Sequence, residues 1–193
     1  MRGFQNFLDK HAKGSSILVL FVLTNVIYAL MLLVTIPALS RFSEGMTIPD
    51  MMPTGYDHAY LQRLMQTLGK EGRRYYLTRQ IPLDLLYPFL FGLTYSLMTA
   101  WAFKRFGAFS NKVCALALLP LIAALADYAE NFGLIATLCK YPDASESLSQ
   151  VSSAFTWIKS SSTALFFVFF LLALVFLSVS RIRKNYRSDK ASR

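Results

Sequence analysis

Four apolar runs dominate this chain, at 17–39, 81–103, 113–139 and 154–180. A helix rises about 1.5 Å per residue, so about 20 apolar residues cross the roughly 30 Å hydrocarbon core of a bilayer. Only helices and closed barrels satisfy their backbone groups in that core. None of the runs alternates with a period of two, so the pattern predicts helices. The fold expected is all-α: one integral membrane four-helix bundle over 1–193. The composition agrees, with 54% hydrophobic and 16% charged residues, against about half and about a quarter in a soluble domain. The excess sits in the four runs, so it is lipid-facing surface and not a larger core.

The segments between the runs have their own signals. Residues 1–16 place Phe4, Phe7, Leu8 and His11 at helical spacing, which predicts an interfacial amphipathic head. The first run is longer than the roughly 7–15 residues of a signal-peptide core. Residues 40–80 are expected to form an outer helical loop. Gly45, Pro49, Pro53 and Gly55 mark irregular chain, and Thr54 with Asp57 give a helix start signal. Leu61, Leu64, Met65 and Leu68 then define one apolar face, and Gly69 is a plausible stop. Residues 140–153 read as a polar loop. Gly92, Ser96 and Ala100 form a small-residue stripe for close helix approach, and Ala129 with Gly133 form another. Pro88 and Pro120 predict kinks or freed carbonyls within the second and third runs.

Charge orients the bundle. The net charge is +9, which in a soluble protein would suggest nucleic acid. Here the basic residues flank apolar runs, so no nucleic-acid partner is expected. The head, the 104–112 link and the basic 181–193 tail carry positive excess. The positive-inside rule therefore predicts a multi-pass protein of the cell (inner) membrane with both termini cytoplasmic. Arg73, Arg74 and Arg79 form a basic patch suited to headgroups or an anionic lipid. No cofactor or metal is expected: His11 and His58 lie outside the runs and no zinc-type cysteine set occurs. Cys114 and Cys139 are about 37 Å apart along one helix, too far to pair, and both read as buried thiols.

The strongest chemical signal is Asp127-Tyr128-Ala129-Glu130-Asn131 in the third run. Asp127, Glu130 and Asn131 are at i, i+3 and i+4 and share a helix face. An ionised carboxylate at that depth costs at least about 2.5 kcal/mol. Leucine would avoid this cost, so the acids imply a function or a specific partner. Three further polar groups could converge on that face: Asn25; Asp84, with Tyr87 and Tyr95 on nearby faces; and Lys159, with Ser162 and Thr163 one turn below it.

Three functions fit. In the first, Asp127 and Glu130 are a catalytic acid–base pair acting on, or binding, a small amphiphile such as a lipid or isoprenoid. Lys159 would then hold an anionic or electron-rich group. In the second, the acids hold together a structural or assembly subunit of a membrane complex or homo-oligomer. In the third, they relay protons or ions. Whether the chain is an enzyme stays open at this point.

Two stretches carry a resemblance. They are Leu68-Gly69-Lys70-Glu71-Gly72-Arg73-Arg74-Tyr75-Tyr76-Leu77, running on to Asp84-Leu85-Leu86-Tyr87-Pro88, and Asp127-x-x-Glu130-Asn131. Over 55–138 the chain resembles a group of small, uncharacterised four-span bacterial membrane proteins. The resemblance implies the architecture and carries no activity.

Overall fold

The computed structural model describes residues 2–191, with side chains through Arg183. The tail's side chains from Lys184 onward lie outside the described residues. Seven α-helices run in order: α1 (Arg2–His11), α2 (Gly14–Leu30), α3 (Ile36–Phe42), α4 (His58–Tyr75), α5 (Ile81–Arg105), α6 (Asn111–Lys140) and α7 (Glu146–Ala191). No strand occurs among the described residues. The fold is an all-α bundle with four helical stretches long and apolar enough to cross a membrane.

The first stretch is α2 and α3 joined by a π-turn at Met31–Thr35. A second π-turn, Tyr76–Gln80, joins α4 to α5. Each ends two residues before a proline, Pro37 or Pro82. Proline lacks an N–H and crowds the preceding turn, so the helix widens there without ending. The two π-turns meet: Thr35 Oγ1 donates to Gln80 Oε1, and both residues are buried.

Helices α5 and α6 form the centre. Half of each one's apolar window is buried, against 17% for the first and fourth stretches. The stripe Gly92-Ser96-Ala100 works as its spacing implies. A Cβ on Gly92 would sit 3.1 Å from the Ala124 Cβ, and Ser96 Oγ donates to the Ala117 carbonyl at 2.7 Å. Gly133 similarly lies against Ser152 of α7, where a Cβ would come within 2.7 Å of the Ser152 Cβ. Helix α2 packs on α5, α5 on α6, and α6 on α7, but α2 and α7 form no packed pair. The bundle therefore has a seam along its side.

At one end, α1 docks under the 104–112 link. Leu8 is buried with Leu97, Ala100 and Cys114, and Lys104 Nζ contacts Asp9 Oδ1 at 2.6 Å. Arg181 donates to the Arg105 carbonyl at that same end. The head is thus a packed cap as well as an amphipathic helix.

The other end is covered by α4. Leu61, Leu64, Met65 and Leu68 bury their shared face against Leu39, Ile81, Leu134 and Leu138. The helix starts later than the Thr54 signal suggests. Asp57 is the cap, and its Oδ1 accepts from the Tyr60 N–H at 2.6 Å. Gly69 takes φ +60° and breaks α4, but the helix resumes at once beyond it. The polar loop expected at 140–153 is shorter than that, because α7 begins at Glu146. Ser149 and Ser152 are buried on that extra helix and meet His58 and Tyr56. Cys114 is buried as expected, while Cys139 is exposed at the end of α6.

Candidate functional site

The acidic pair of α6 faces the interior: Asp127 is 6% exposed and Glu130 1%. Lys159 of α7 reaches both, with Nζ 2.5 Å from Glu130 Oε2 and 3.3 Å from Asp127 Oδ1. The lysine is 19% exposed, so it turns inward to the acids and does not snorkel to a headgroup. Thr156, one turn before it, donates to Glu130 Oε1 at 2.7 Å. Ser152 donates to the Glu130 carbonyl at 3.1 Å and meets the Tyr56 hydroxyl at 2.8 Å. Burial pushes the Tyr56 hydroxyl's pKa well above its ordinary value. The Ser152 hydrogen bond opposes this shift and the Glu130 charge adds to it.

Asn131 has a role set by Pro88. Residue 88 has no N–H, so the Asp84 carbonyl four residues earlier loses its helical donor. An unpaired carbonyl is costly away from water. Asn131 Nδ2 supplies the missing donor at 2.9 Å, and it also reaches Asp127 Oδ1 at 3.4 Å. The proline of one helix and the amide of the next thereby bring Asp84 and Asp127 to the same level.

Asp84 is 3% exposed and lines the same cavity as Asp50. Asp84 Oδ2 and Asp50 Oδ1 are buried with no hydrogen-bond partner. Tyr76 donates to the other Asp50 oxygen at 2.6 Å. Asp50 comes from the short 3₁₀ turn Pro49–Met51. That turn enters the bundle because Ile48 and Pro49 are buried behind it.

These groups border a cavity of about 590 Å³. Tyr28, Met31 and Ile36 form one wall, and Asp50, Met51 and Pro53 cover it. Asp84, Tyr87 and Phe91 come from α5, Ala123, Ala124 and Asp127 from α6, and Lys159, Ser160 and Thr163 from α7. The cavity lies between α2 and α7, where the bundle is not closed. Tyr28 and Tyr87 meet there, their rings tilted by 31° with centroids 5.6 Å apart.

Of the residues expected from sequence, the cavity brings together Asp84, Tyr87, Asp127 and Lys159, with Asn131 directly behind. It does not bring in three others. Asn25 is exposed and bonds its own helix at the Phe21 carbonyl; Thr24, one residue earlier, points inward to Thr94 at 2.9 Å. Ser162 is buried off the cavity wall, which Thr163 occupies instead. Glu130 lies behind Lys159 and does not line the cavity. Lys159 is engaged by two carboxylates, which leaves it poorly placed to serve as an anion's counter-charge.

The basic patch also divides. Arg73 turns back to the Met65 carbonyl at 2.6 Å and covers the Tyr141 ring at 4.3 Å. Arg74 and Arg79 remain exposed around a separate depression with Phe42, Glu71 and Tyr75. Asp50, Tyr76 and Thr156 were not anticipated. For Asp50 a signal existed: Ile48-Pro49-Asp50-Met51-Met52-Pro53 is too apolar for a solvated loop. Among the described residues, no group of three or more His, Cys, Asp or Glu side chains is placed to hold a metal ion.

Fold and site together define a helical bundle with four stretches able to cross a membrane and a polar cavity in its side. Comparison with protein families, with curated proteins and with solved structures returns no match for the chain.

Proposed function

We propose that this protein is a multi-pass membrane protein that binds a small amphiphile in the cavity between α2 and α7. The observation that carries this reading is the seam. A cavity with buried carboxyls at its floor and apolar walls at its sides lies where two helices fail to pack. Its volume falls within the roughly 300–1,000 Å³ of small-molecule sites. An apolar chain can lie in such a seam among acyl tails while its polar head reaches the floor. The network of Glu130, Thr156 and Lys159 positions the floor; Asp84 and Asp127 face the ligand.

The head, the 104–112 link and the start of the tail share one end of the bundle. Their basic residues support placing that end, with both termini, on the cytoplasmic side of the cell (inner) membrane and α4 outside.

The test is ligand retention. Ala164 lines the cavity and is exposed, so Ala164→Phe fills the seam without disturbing the core. Wild-type protein purified in mild detergent should carry a lipid-like species by native mass spectrometry that folded Ala164→Phe loses. Identical lipid content in both proteins would remove the basis for the reading.

A further inference from the structure

The floor of the cavity has more negative than positive groups. Asp50, Asp84 and Asp127 border it, Glu130 stands behind, and Lys159 is the cation among them. Lys159 is already held by Asp127 and Glu130. Asp84, 3% exposed, lines the cavity, and its Oδ2 is buried with no hydrogen-bond partner. Uncompensated charge in a low-dielectric site is costly, so this arrangement is complementary to a cation.

We propose that the amphiphile bound here carries a single ammonium group at its head, seated against Asp84 and Asp127. This rests on the lateral-site reading above and names the chemical class of its ligand. The ammonium's three donors match the acceptors on the floor. Tyr87, with its ring centroid 5.6 Å from that of Tyr28 on the cavity wall, places an aromatic side chain beside the same cation. A hydroxyl head would form hydrogen bonds without balancing the charge. A carboxylate or phosphate head would meet like charges and find Lys159 occupied.

The test uses tetradecylamine, tetradecanol and tetradecanoate, which share one chain and differ in the head. Binding to purified wild-type protein in nanodiscs is measured by native mass spectrometry. The amine should bind at least about ten-fold more tightly than the alcohol, since a charged hydrogen-bonded contact is being gained. Asp84→Asn should reduce amine binding to near the alcohol's level and leave the alcohol unchanged. Should Asp84→Asn not fold, Asp50→Asn, on the covering turn, should also weaken the amine selectively.

If the alcohol or tetradecanoate equals the amine, and Ala164→Phe abolishes both, the ammonium assignment is overturned while the lateral site stands. If Ala164→Phe leaves the binding of all three unchanged, the lateral site itself falls.

Discussion

Replacing Lys159 with methionine keeps the length of the side chain and removes its charge, leaving Asp127 and Glu130 buried without the cation that pairs them. The two contacts are unequal. At 2.5 Å and 3.3 Å, Coulomb's law with an effective dielectric of about 20 gives gross attractions of about 7 kcal/mol to Glu130 and about 5 kcal/mol to Asp127. Desolvation offsets most of each, and breaking a buried pair from one side typically costs about 3–5 kcal/mol. Lys159→Met should therefore destabilise by about that amount. The geometry also sets an order within a double-mutant cycle. Coupling of Lys159 to Glu130, from Glu130→Gln and the double variant, should exceed about 1.5 kcal/mol and should be larger than coupling to Asp127. Equilibrium unfolding in mixed micelles at fixed pH, followed by circular dichroism, measures both. Coupling to Glu130 below about 0.5 kcal/mol, or larger coupling to Asp127, would refute the arrangement of the cluster.

Other perturbations follow from individual contacts. Gly133→Ala forces a methyl group against Ser152 and should cost about 1–3 kcal/mol by overpacking, read as a lower unfolding midpoint. Asn25→Ala, on the outer face of α2, should change stability by less than about 0.5 kcal/mol and leave lipid retention intact. Thr24→Val, one residue away and bonded to Thr94, should cost about 1 kcal/mol or more in the same unfolding measurement. The buried Tyr56 hydroxyl has its pKa raised on folding. The unfolded tyrosine therefore loses its proton first, and the stabilisation is complete below about pH 10 and declines as pH rises further. Tyr56→Phe should flatten that alkaline decline in a pH series of unfolding midpoints.

Much of the architecture was legible in the residues. Hydropathy located the four long stretches, and the spacing of Leu61, Leu64, Met65 and Leu68 located the buried face of α4. Pro88 announced a freed carbonyl, and the acids of α6 announced an interior cluster. In each case the physics acts along one helix, within a few residues of chain. Helical spacing says which residues share a face, so Asp127, Glu130 and Asn131 could be grouped.

Spacing does not fix how each helix is rotated against its neighbours, and one residue turns a side chain by about 100°. That is why Thr24 points inward where Asn25 was expected, and why, of Ser162 and Thr163, only Thr163 lines the cavity. Nor could periodicity find Asp50, which reaches the site from an irregular turn distant in sequence from Asp84 on the same cavity. The chain by itself determined helices, length and the cost of buried carboxyls, because those depend on local chemistry and on the solvent. Only packing decided that Lys159 is shared between two acids and that α2 and α7 stand apart, because both depend on how four helices divide a limited contact surface.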